Sequence, residues 1–352
     1  MYEILTDMNV LYNSFQKCKQ NVDWKNSVQS YEANLLPNLY RLRKSLVDGT
    51  YKQREFYEFD INERGKQRHI KSLHISDRVL QRAICDCILA PKLYSKLIYD
   101  NGASQEGKGI SFTRDRLKCH LQRFYRAQGN KGYILLLDYS KFFDSIPHDL
   151  LMERLQKEFD DERFLELLSN LIDSFGEEKS LGIGSQISQI FGIYYPTPVD
   201  TYCKVVKSCR YYGRYMDDLY IIHQDKAFLK EMLKDITRIS EELGLKVNQK
   251  KTQIHRIDKG FIFLKNQYFI TDTGKIVIKP CKANFIRQRR KLKKLKVKMD
   301  NGEIPFEDIM TTYKSWRGSI ENLNCHRSLR NMDKLFKTIY KNQLKGERIC
   351  QK

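Results

Sequence analysis

The stretch Tyr211-Tyr212-Gly213-Arg214-Tyr215-Met216-Asp217-Asp218-Leu219-Tyr220-Ile221-Ile222 decides how the chain is read. Two apolar, aromatic-rich runs flank two adjacent carboxylates. In a strand, successive side chains point to opposite faces, so neighbouring aspartates reach one site only at a turn. The pattern predicts a β-hairpin with Asp217 and Asp218 at its tip. Acids set among apolar strands are costly unless something positive meets them, and a divalent metal is the usual partner. A related acid lies upstream. Tyr133-Ile134-Leu135-Leu136-Leu137 is a short apolar run ending in Asp138, which reads as a buried central strand with a carboxylate at its C-terminal end. Asp138, Asp217 and Asp218 make an oxygen donor set for two Mg2+ ions, with Mn2+ as a possible substitute, suited to in-line phosphoryl transfer.

Composition agrees with a folded chain that meets a polyanion. The 352 residues are 41% hydrophobic and 12% aromatic, enough for a large core and several subdomains. The formal net charge is +20, which implies a polyanionic partner, nucleic acid before an anionic membrane. No apolar run approaches the roughly 20 residues needed to span a bilayer. The start, Met1-Tyr2-Glu3-Ile4-Leu5-Thr6-Asp7, has neither the basic beginning nor the apolar block of a signal peptide. Nine cysteines without a Cys-x-x-Cys pair suggest a reducing cytoplasm and no zinc site. Cys85 and Cys87 fit an apolar helix.

Outward from the hairpin, residues 1–50 read as helical, with Leu35, Leu36, Leu39, Leu42 and Leu46 on one face and Gly49 as a stop. Tyr51–Phe59 and Gln67–Leu73 read as strands of a hairpin turning at Asn62–Gly65. Lys66, Arg68 and Lys71 make it either a solvated basic hairpin or a flap that grips phosphates. Asp77–Leu89 is a helix capped by Asp77 or Ser76. Tyr99–Ile110 is a loop, and a basic helix follows from Phe112 to Arg126. His148 reads as a cap or helix contact rather than a catalytic base, ahead of helices at Asp149–Phe159 and Glu162–Phe175. Leu181–Gln189 is a glycine-containing loop entering a helix, where a backbone can approach an anion closely. After the central hairpin come a helix at Lys226–Leu243, a strand and turn at Leu245–Thr252, strands at Gly260–Lys265 and Gln267–Ile270, and a turn at Asp272–Lys275. Lys282–Lys298 holds nine Lys/Arg and no acid, with Phe285, Leu292, Leu295 and Met299 in a helical stripe. Charge of that density is better explained by phosphate contacts than by a solvated face. Helical patterning continues from Thr312 to Lys341, broken near Asn322–Cys325.

The order of these features resembles a reverse transcriptase, an RNA-directed DNA polymerase. The resemblance runs from about Leu36 to Tyr340. It rests on Arg68-His69-Ile70 with Asp77–Ile84, on Leu137–Asp144, on Tyr215–Asp218, on Leu243–Thr252, and on Phe263-Leu264. It implies an α+β right-hand polymerase fold: an N-terminal helical extension at 1–34, fingers at 35–130, and a palm at 131–275 of antiparallel sheet and helices, with finger elements around 150–190. A basic helical thumb occupies 276–352. Carried over residue by residue, Asp138 and Asp217 match the main metal ligands, and Asp218 the third carboxylate. Tyr139 would lend its backbone carbonyl to metal. Phe143, five residues after Asp138, matches the steric gate that favours deoxynucleotides. Arg68 with Lys66 or Lys71 would hold the triphosphate, and Lys251 is a basic residue near the site. Lys282, Arg287, Arg289, Arg290, Lys293 and Lys294 would ride on the template–primer duplex.

One motif departs from the common bacterial pattern Gln-Gly-x-x-x-Ser-Pro. Here it is Ile183-Gly184-Ser185-Gln186-Ile187-Ser188-Gln189. That form resembles the reverse transcriptases of diversity-generating retroelements. These copy a template RNA into cDNA with frequent errors opposite adenine, beside a small basic accessory protein that forms a pentameric barrel. The resemblance implies deoxynucleoside triphosphates, template RNA and primer as partners, no membrane, and a cytoplasmic, bacterial or phage-encoded setting. It places Ile183, Gly184 and Gln189 beside the nucleotide. The alternatives are an antiphage-defence or group II intron-like reverse transcriptase, a non-catalytic RNA-binding scaffold, and a metal-dependent nuclease. The intact aspartates argue against the scaffold and the motif order against the nuclease. No maturase or endonuclease extension is expected after the thumb.

Overall fold

The computed structural model describes residues 1–63 and 65–344, and the side chains of Glu63 and Lys66 fall outside what is described. The expected triphosphate role of Lys66 and the last eight residues of the expected thumb therefore lie outside the described residues.

The chain opens with helices α1 (Met8–Lys19), α2 (Asn26–Ala33) and α3 (Leu35–Val47), then strands β1 (Tyr57–Glu63) and β2 (Lys66–Ser72). Helix α4 (Ile75–Ile84) continues through a π-helical turn at Cys85–Leu89 into α5 (Ala90–Leu93); α6 (Ile110–Gln128) follows a loop. Strand β3 (Tyr133–Leu137) precedes α7 (Phe142–Ser145), α8 (His148–Gln156), α9 (Glu162–Asp173), α10 (Gln186–Tyr194) and α11 (Thr197–Thr201). Next come β4 (Tyr212–Tyr215), β5 (Asp218–His223), α12 (Lys226–Glu242) and β6 (Gln253–Arg256). Strands β7 (Phe261–Phe263), β8 (Asn266–Ile270) and β9 (Ile276–Pro280) lead to helices α13 (Lys282–Asp300), α14 (Phe306–Gly318) and α15 (His326–Ile339). The sheets are the β1–β2 hairpin, a four-stranded sheet ordered β4-β5-β3-β6, and a three-stranded sheet ordered β7-β8-β9. Helices packed with antiparallel hairpins make this an α+β fold.

Two compact units emerge. One comprises Met1–Arg116, Leu135–Ile221 and Ala227–Gln253; the other comprises Leu117–Ile134, Ile222–Lys226 and Ile254–Lys352. In the first, Leu135-Leu136-Leu137 is buried throughout, as a run without polar alternation requires of a strand covered on both faces. The second is closed by α13, α14 and α15 around Leu292, Ile309, Tyr313, Met332, Phe336 and Tyr340. Tyr313 and Phe336 stack at 4.2 Å, and the Tyr340 hydroxyl donates to the Leu292 carbonyl at 2.7 Å. Phe285, Leu295 and Met299 line the same core, so the sequence stripe is the buried face of α13.

Several boundaries differ from expectation. Tyr51–Phe56 is not strand; its side chains latch it elsewhere. The Tyr51 hydroxyl donates to Asp77 at 2.9 Å, and Phe56 stacks on Phe175 at 5.4 Å. Asp77 is thereby spent, and α4 begins two residues earlier, capped by His74, whose ring accepts from the Ser76 amide at 3.2 Å. Leu245–Thr252 holds one isolated bridge, Tyr139 to Val247, and the strand forms later as β6. Gly244 ends α12 with φ of +69°, where a Cβ would lie 2.6 Å from Pro147 Cγ. Strand β9 was not anticipated; its Ile278 exchanges hydrogen bonds with Asn324 in the loop between α14 and α15.

Candidate active site

Strands β4 and β5 pair Tyr212 with Ile221, Gly213 with Tyr220, Arg214 with Leu219 and Tyr215 with Asp218. That register leaves Met216 and Asp217 as a two-residue turn. Two-residue hairpin loops favour turns with positive φ because their twist matches the strands. Met216 adopts φ of +52°, a left-handed conformation costing an L-residue about 1–2 kcal/mol. The Arg214 Nη1 donates to the Met216 carbonyl at 3.1 Å, and a hydrogen bond from a charged donor is worth about 1.5–3 kcal/mol, enough to offset that cost. Asp217 therefore sits in the turn and Asp218 opens β5, both half-buried. Burial, with the charge of Asp218, pushes the Tyr215 phenol above its ordinary pKa.

Asp138 follows β3, the strand next to β5. Its carboxylate is mostly buried and both oxygens meet the Lys251 ammonium, at 2.6 and 2.5 Å. Asn248 donates its amide to Oδ1 at 3.2 Å. The Tyr139–Val247 bridge is made by flanking groups, Ser140 N–H to Lys246 O and Asn248 N–H to Asp138 O. It holds the segment carrying Lys251 against the end of β3. The Tyr139 ring is buried and hydrogen-bonded to Ser240 at 3.0 Å; burial pushes its phenol to about 12, so it stays neutral.

Phe143 lies half-buried on α7, edge-on to Phe142 at 5.3 Å. Beneath its ring is Gly192 of α10, where a Cβ would stand 3.0 Å from Cε1. Ile183 accepts from the Lys71 amide at 3.1 Å, which ties the glycine loop to β2. Gly184 has φ of +129° and a Cβ there would lie 2.8 Å from the Lys71 carbonyl, so both conformation and space call for glycine. Ser185 donates to Gln81 at 2.6 Å, whereas Gln189 is turned toward Ser104 at 3.3 Å. Arg68 is on β2, half-buried. The Lys71 ammonium is engaged locally, donating to the Phe175 carbonyl at 2.8 Å with Glu58 at 3.8 Å. His148 is buried between Asp173 at 3.1 Å and the Ser180 carbonyl at 2.7 Å, a helix contact.

In the second unit, Lys282, Arg287, Arg289, Arg290, Lys293 and Lys294 are all exposed on α13. None of the six has an acidic partner among the described residues, unlike Lys296 and Lys298, which pair with Asp300 and Glu303.

The donor chemistry suits a hard divalent ion, because the candidate ligands are carboxylate and carbonyl oxygens. Among the described residues no three His, Cys, Asp or Glu side chains already stand close enough to hold one. Asp138 must exchange Lys251 for a cation to serve as a ligand. Reading the sequence alone missed Arg214, Asn248 and Gly192. The one available signal was adjacency: Arg214 immediately precedes the Tyr215–Asp218 motif.

A carboxylate after one strand and two more at the tip of the neighbouring hairpin fit a right-hand polymerase fold. A family model for reverse transcriptase (RNA-dependent DNA polymerase) matches residues 43–268, most of the chain, and the chain belongs to that family. The matched span contains Asp138, Asp217, Asp218 and Lys251, and α13 lies beyond it. Among solved structures, the chain is similar to telomerase from Candida albicans in complex with a TWJ fragment of telomeric RNA, with TM-score 0.51 and 14% identity over 83% of this chain and 56% of that one. It is also similar to apo telomerase from Candida tropicalis truncated from the C-terminal domain, with TM-score 0.48 and 16% identity over 63% and 54%. The chain thus spans little more than half the length of these telomerase chains. No curated protein matches it. No helix among the described residues is long and apolar enough to cross a membrane.

Proposed function

We propose that this chain copies a template RNA into cDNA from deoxynucleoside triphosphates, as the error-prone polymerase of a diversity-generating retroelement. The observation that carries the polymerase reading is the placement of Asp138 at the end of β3 and of Asp217 and Asp218 at the tip of the adjoining hairpin. In this reading Asp138, Asp217 and the Tyr139 carbonyl hold divalent metal, with Asp218 as the third carboxylate. Two bound Mg2+ ions would supply activation of the primer hydroxyl and stabilisation of the leaving pyrophosphate. Lys251 holds Asp138 in its rotamer and neutralises it until the cation arrives, since uncompensated carboxylates repel one another. Phe143, resting on Gly192, stands where a ribose 2′-hydroxyl would collide. Arg68 meets the triphosphate from the fingers, joined by Lys71 once its ammonium leaves the Phe175 carbonyl and Glu58. The exposed cations of α13 that have no acidic partner among the described residues grip phosphates of the template–primer duplex from the thumb.

The retroelement reading rests on Ile183–Gln189. A glutamine before the glycine would offer a donor and an acceptor to the incoming nucleotide; isoleucine offers only shape. Losing one such contact removes about 1 kcal/mol of positioning. A small basic accessory protein completes the assembly, joined through RNA or a local acidic patch because both partners are cationic, in a bacterial or phage-infected cytoplasm. The second reading, an antiphage-defence or group II intron-like enzyme, keeps the same chemistry. Sequencing cDNA made on a defined RNA template tests the proposal. Errors concentrated opposite adenine, reduced in Ile183→Gln, support it; uniform errors with full activity refute the retroelement assignment.

A further inference from the structure

Arg214 is the largest side chain in the described structure with no solvent exposure. A guanidinium so placed needs a complete set of partners, because an unpaired buried charge is strongly unfavourable. Its Nε and Nη2 grip both oxygens of Asp200, itself buried, at 2.8 and 2.5 Å. Tyr212 donates to the same carboxylate at 2.5 Å. Nη2 also donates to the Ile193 carbonyl at 2.8 Å, near the end of α10. The backbone is held too: the Arg214 amide donates to Asp100 O at 3.1 Å and its carbonyl accepts from Gly102 at 3.0 Å. One guanidinium nitrogen is left over from this cage. Nη1 reaches forward to the Met216 carbonyl at 3.1 Å.

That carbonyl belongs to the peptide whose N–H is Asp217's. Fixing the plane of this peptide fixes the direction in which Asp217 and Asp218 leave the turn. Met216 has φ of +52°, so without a restraint the turn would relax toward conformations an L-residue prefers. Burial disfavours the charge of Arg214, but the Asp200 carboxylate outweighs it, raises the guanidinium pKa and holds the group charged and immobile. We infer that Arg214 is a positioning residue. Clamped by Asp200 and Tyr212, it braces the Met216–Asp217 peptide so that the metal-binding carboxylates are set before a cation arrives. This rests on the polymerase reading of Asp217 and Asp218.

The test uses the full chain with Mn2+ as a direct probe, its binding followed by electron paramagnetic resonance beside melting temperature and single-nucleotide primer extension. Two variants remove the Nη1 contact. Arg214→Lys keeps a charge on Asp200, whereas Asp200→Leu/Tyr212→Phe/Arg214→Met replaces the cage by apolar groups of similar volume, an exchange buried ion pairs often tolerate. Each is expected to weaken Mn2+ binding and kcat by about tenfold, the scale of lost support behind metal ligands, with KM for the nucleotide changing less. Folded variants that bind Mn2+ like wild type would overturn the brace. Wild-type hydrogen exchange decides the case independently of whether the variants fold. Residues 211–222 should exchange slowly before metal is added; a segment that becomes protected only with Mn2+ overturns it. If wild type binds no Mn2+ and Asp217→Asn still extends primers, the underlying metal-site reading fails instead.

Discussion

Two hairpins in the first unit manage charge in opposite ways. The β1–β2 hairpin carries Glu58, Asp60, His69 and Lys71 and leaves Tyr57, Phe59 and Ile61 exposed at 74, 40 and 38%. Its charges meet partners across the strands in solvent: His69 bridges Asp60 at 3.0 Å and Glu58 at 2.9 Å. The β4–β5 hairpin buries Tyr212, Arg214, Leu219, Tyr220 and Ile221 almost completely and answers its one inward charge with a caged ion pair. Exposed pairs are worth about 0–1 kcal/mol each and can be exchanged freely. Breaking one side of a buried pair costs about 3–5 kcal/mol. The comparison teaches that the first hairpin holds its charges in exchangeable pairs, and the second fixes its charge in a buried cage beneath two carboxylates.

The largest expected effect falls at the tip of the rigid hairpin. On the proposed reading of Asp217 as a metal ligand, Asp217→Asn should lower primer extension by on the order of a thousandfold or more while changing the melting curve little, because it removes a charge and little packing. A variant as active as wild type would remove the basis for treating that hairpin as the catalytic one. Next comes the cage itself. Arg214→Ala should destabilise the fold by about 3–5 kcal/mol in denaturant titrations, since Asp200 is left buried and unpaired. His69→Ala should cost far less in the same assay, because its pairs lie in solvent. Equal losses would erase the contrast between the hairpins.

A smaller effect concerns the floor under Phe143. A Cβ at Gly192 would press on Cε1 from 3.0 Å, so the ring must shift by a few tenths of an ångström. Gly192→Ala should reduce kcat/KM for deoxynucleotides by about threefold to tenfold with little change in melting, read by single-turnover incorporation. An unchanged value would mean that the ring does not meet the sugar. The smallest effect belongs to the β1–β2 hairpin. Hydrogen bonds to Asp60 and then to Glu58 hold the His69 pKa above its ordinary value. A raised folded pKa contributes stability that is full below the unfolded value of about 6.5 and is lost as pH rises through the folded value. Amide exchange in β1 and β2, corrected for its intrinsic pH dependence, should therefore accelerate modestly above neutrality. His69→Gln should abolish that trend.

Much of this was legible in the sequence because it is local. The apolar run ending in Asp138, the acidic pair between aromatic strands and the stripe through Lys282–Lys298 are periodic patterns that short-range sterics and burial impose on neighbouring residues. The helix cap at His74 was misread because Asp77, the better capping residue by type, is drawn away by Tyr51 and the Arg54 amide. Leu245–Thr252 looked like strand by composition, yet only Val247 finds a partner there.

What the sequence by itself determined is the chemistry available: three aspartates in two strand-ending contexts, a gate-sized aromatic five residues after the first, and a dense, acid-free basic helix. Only the tertiary structure decided which groups govern them. Lys251 lies 113 residues from Asp138 and closes on it through a single bridge between Tyr139 and Val247. Gly192 lies under Phe143 because α10 passes beneath α7 there, and Arg214 turns inward because Asp200 waits in the core. Such pairings carry no periodic signature. They exist because burying a charge or a ring requires a partner of matching shape and sign, and distant segments of the chain supply it only once folded.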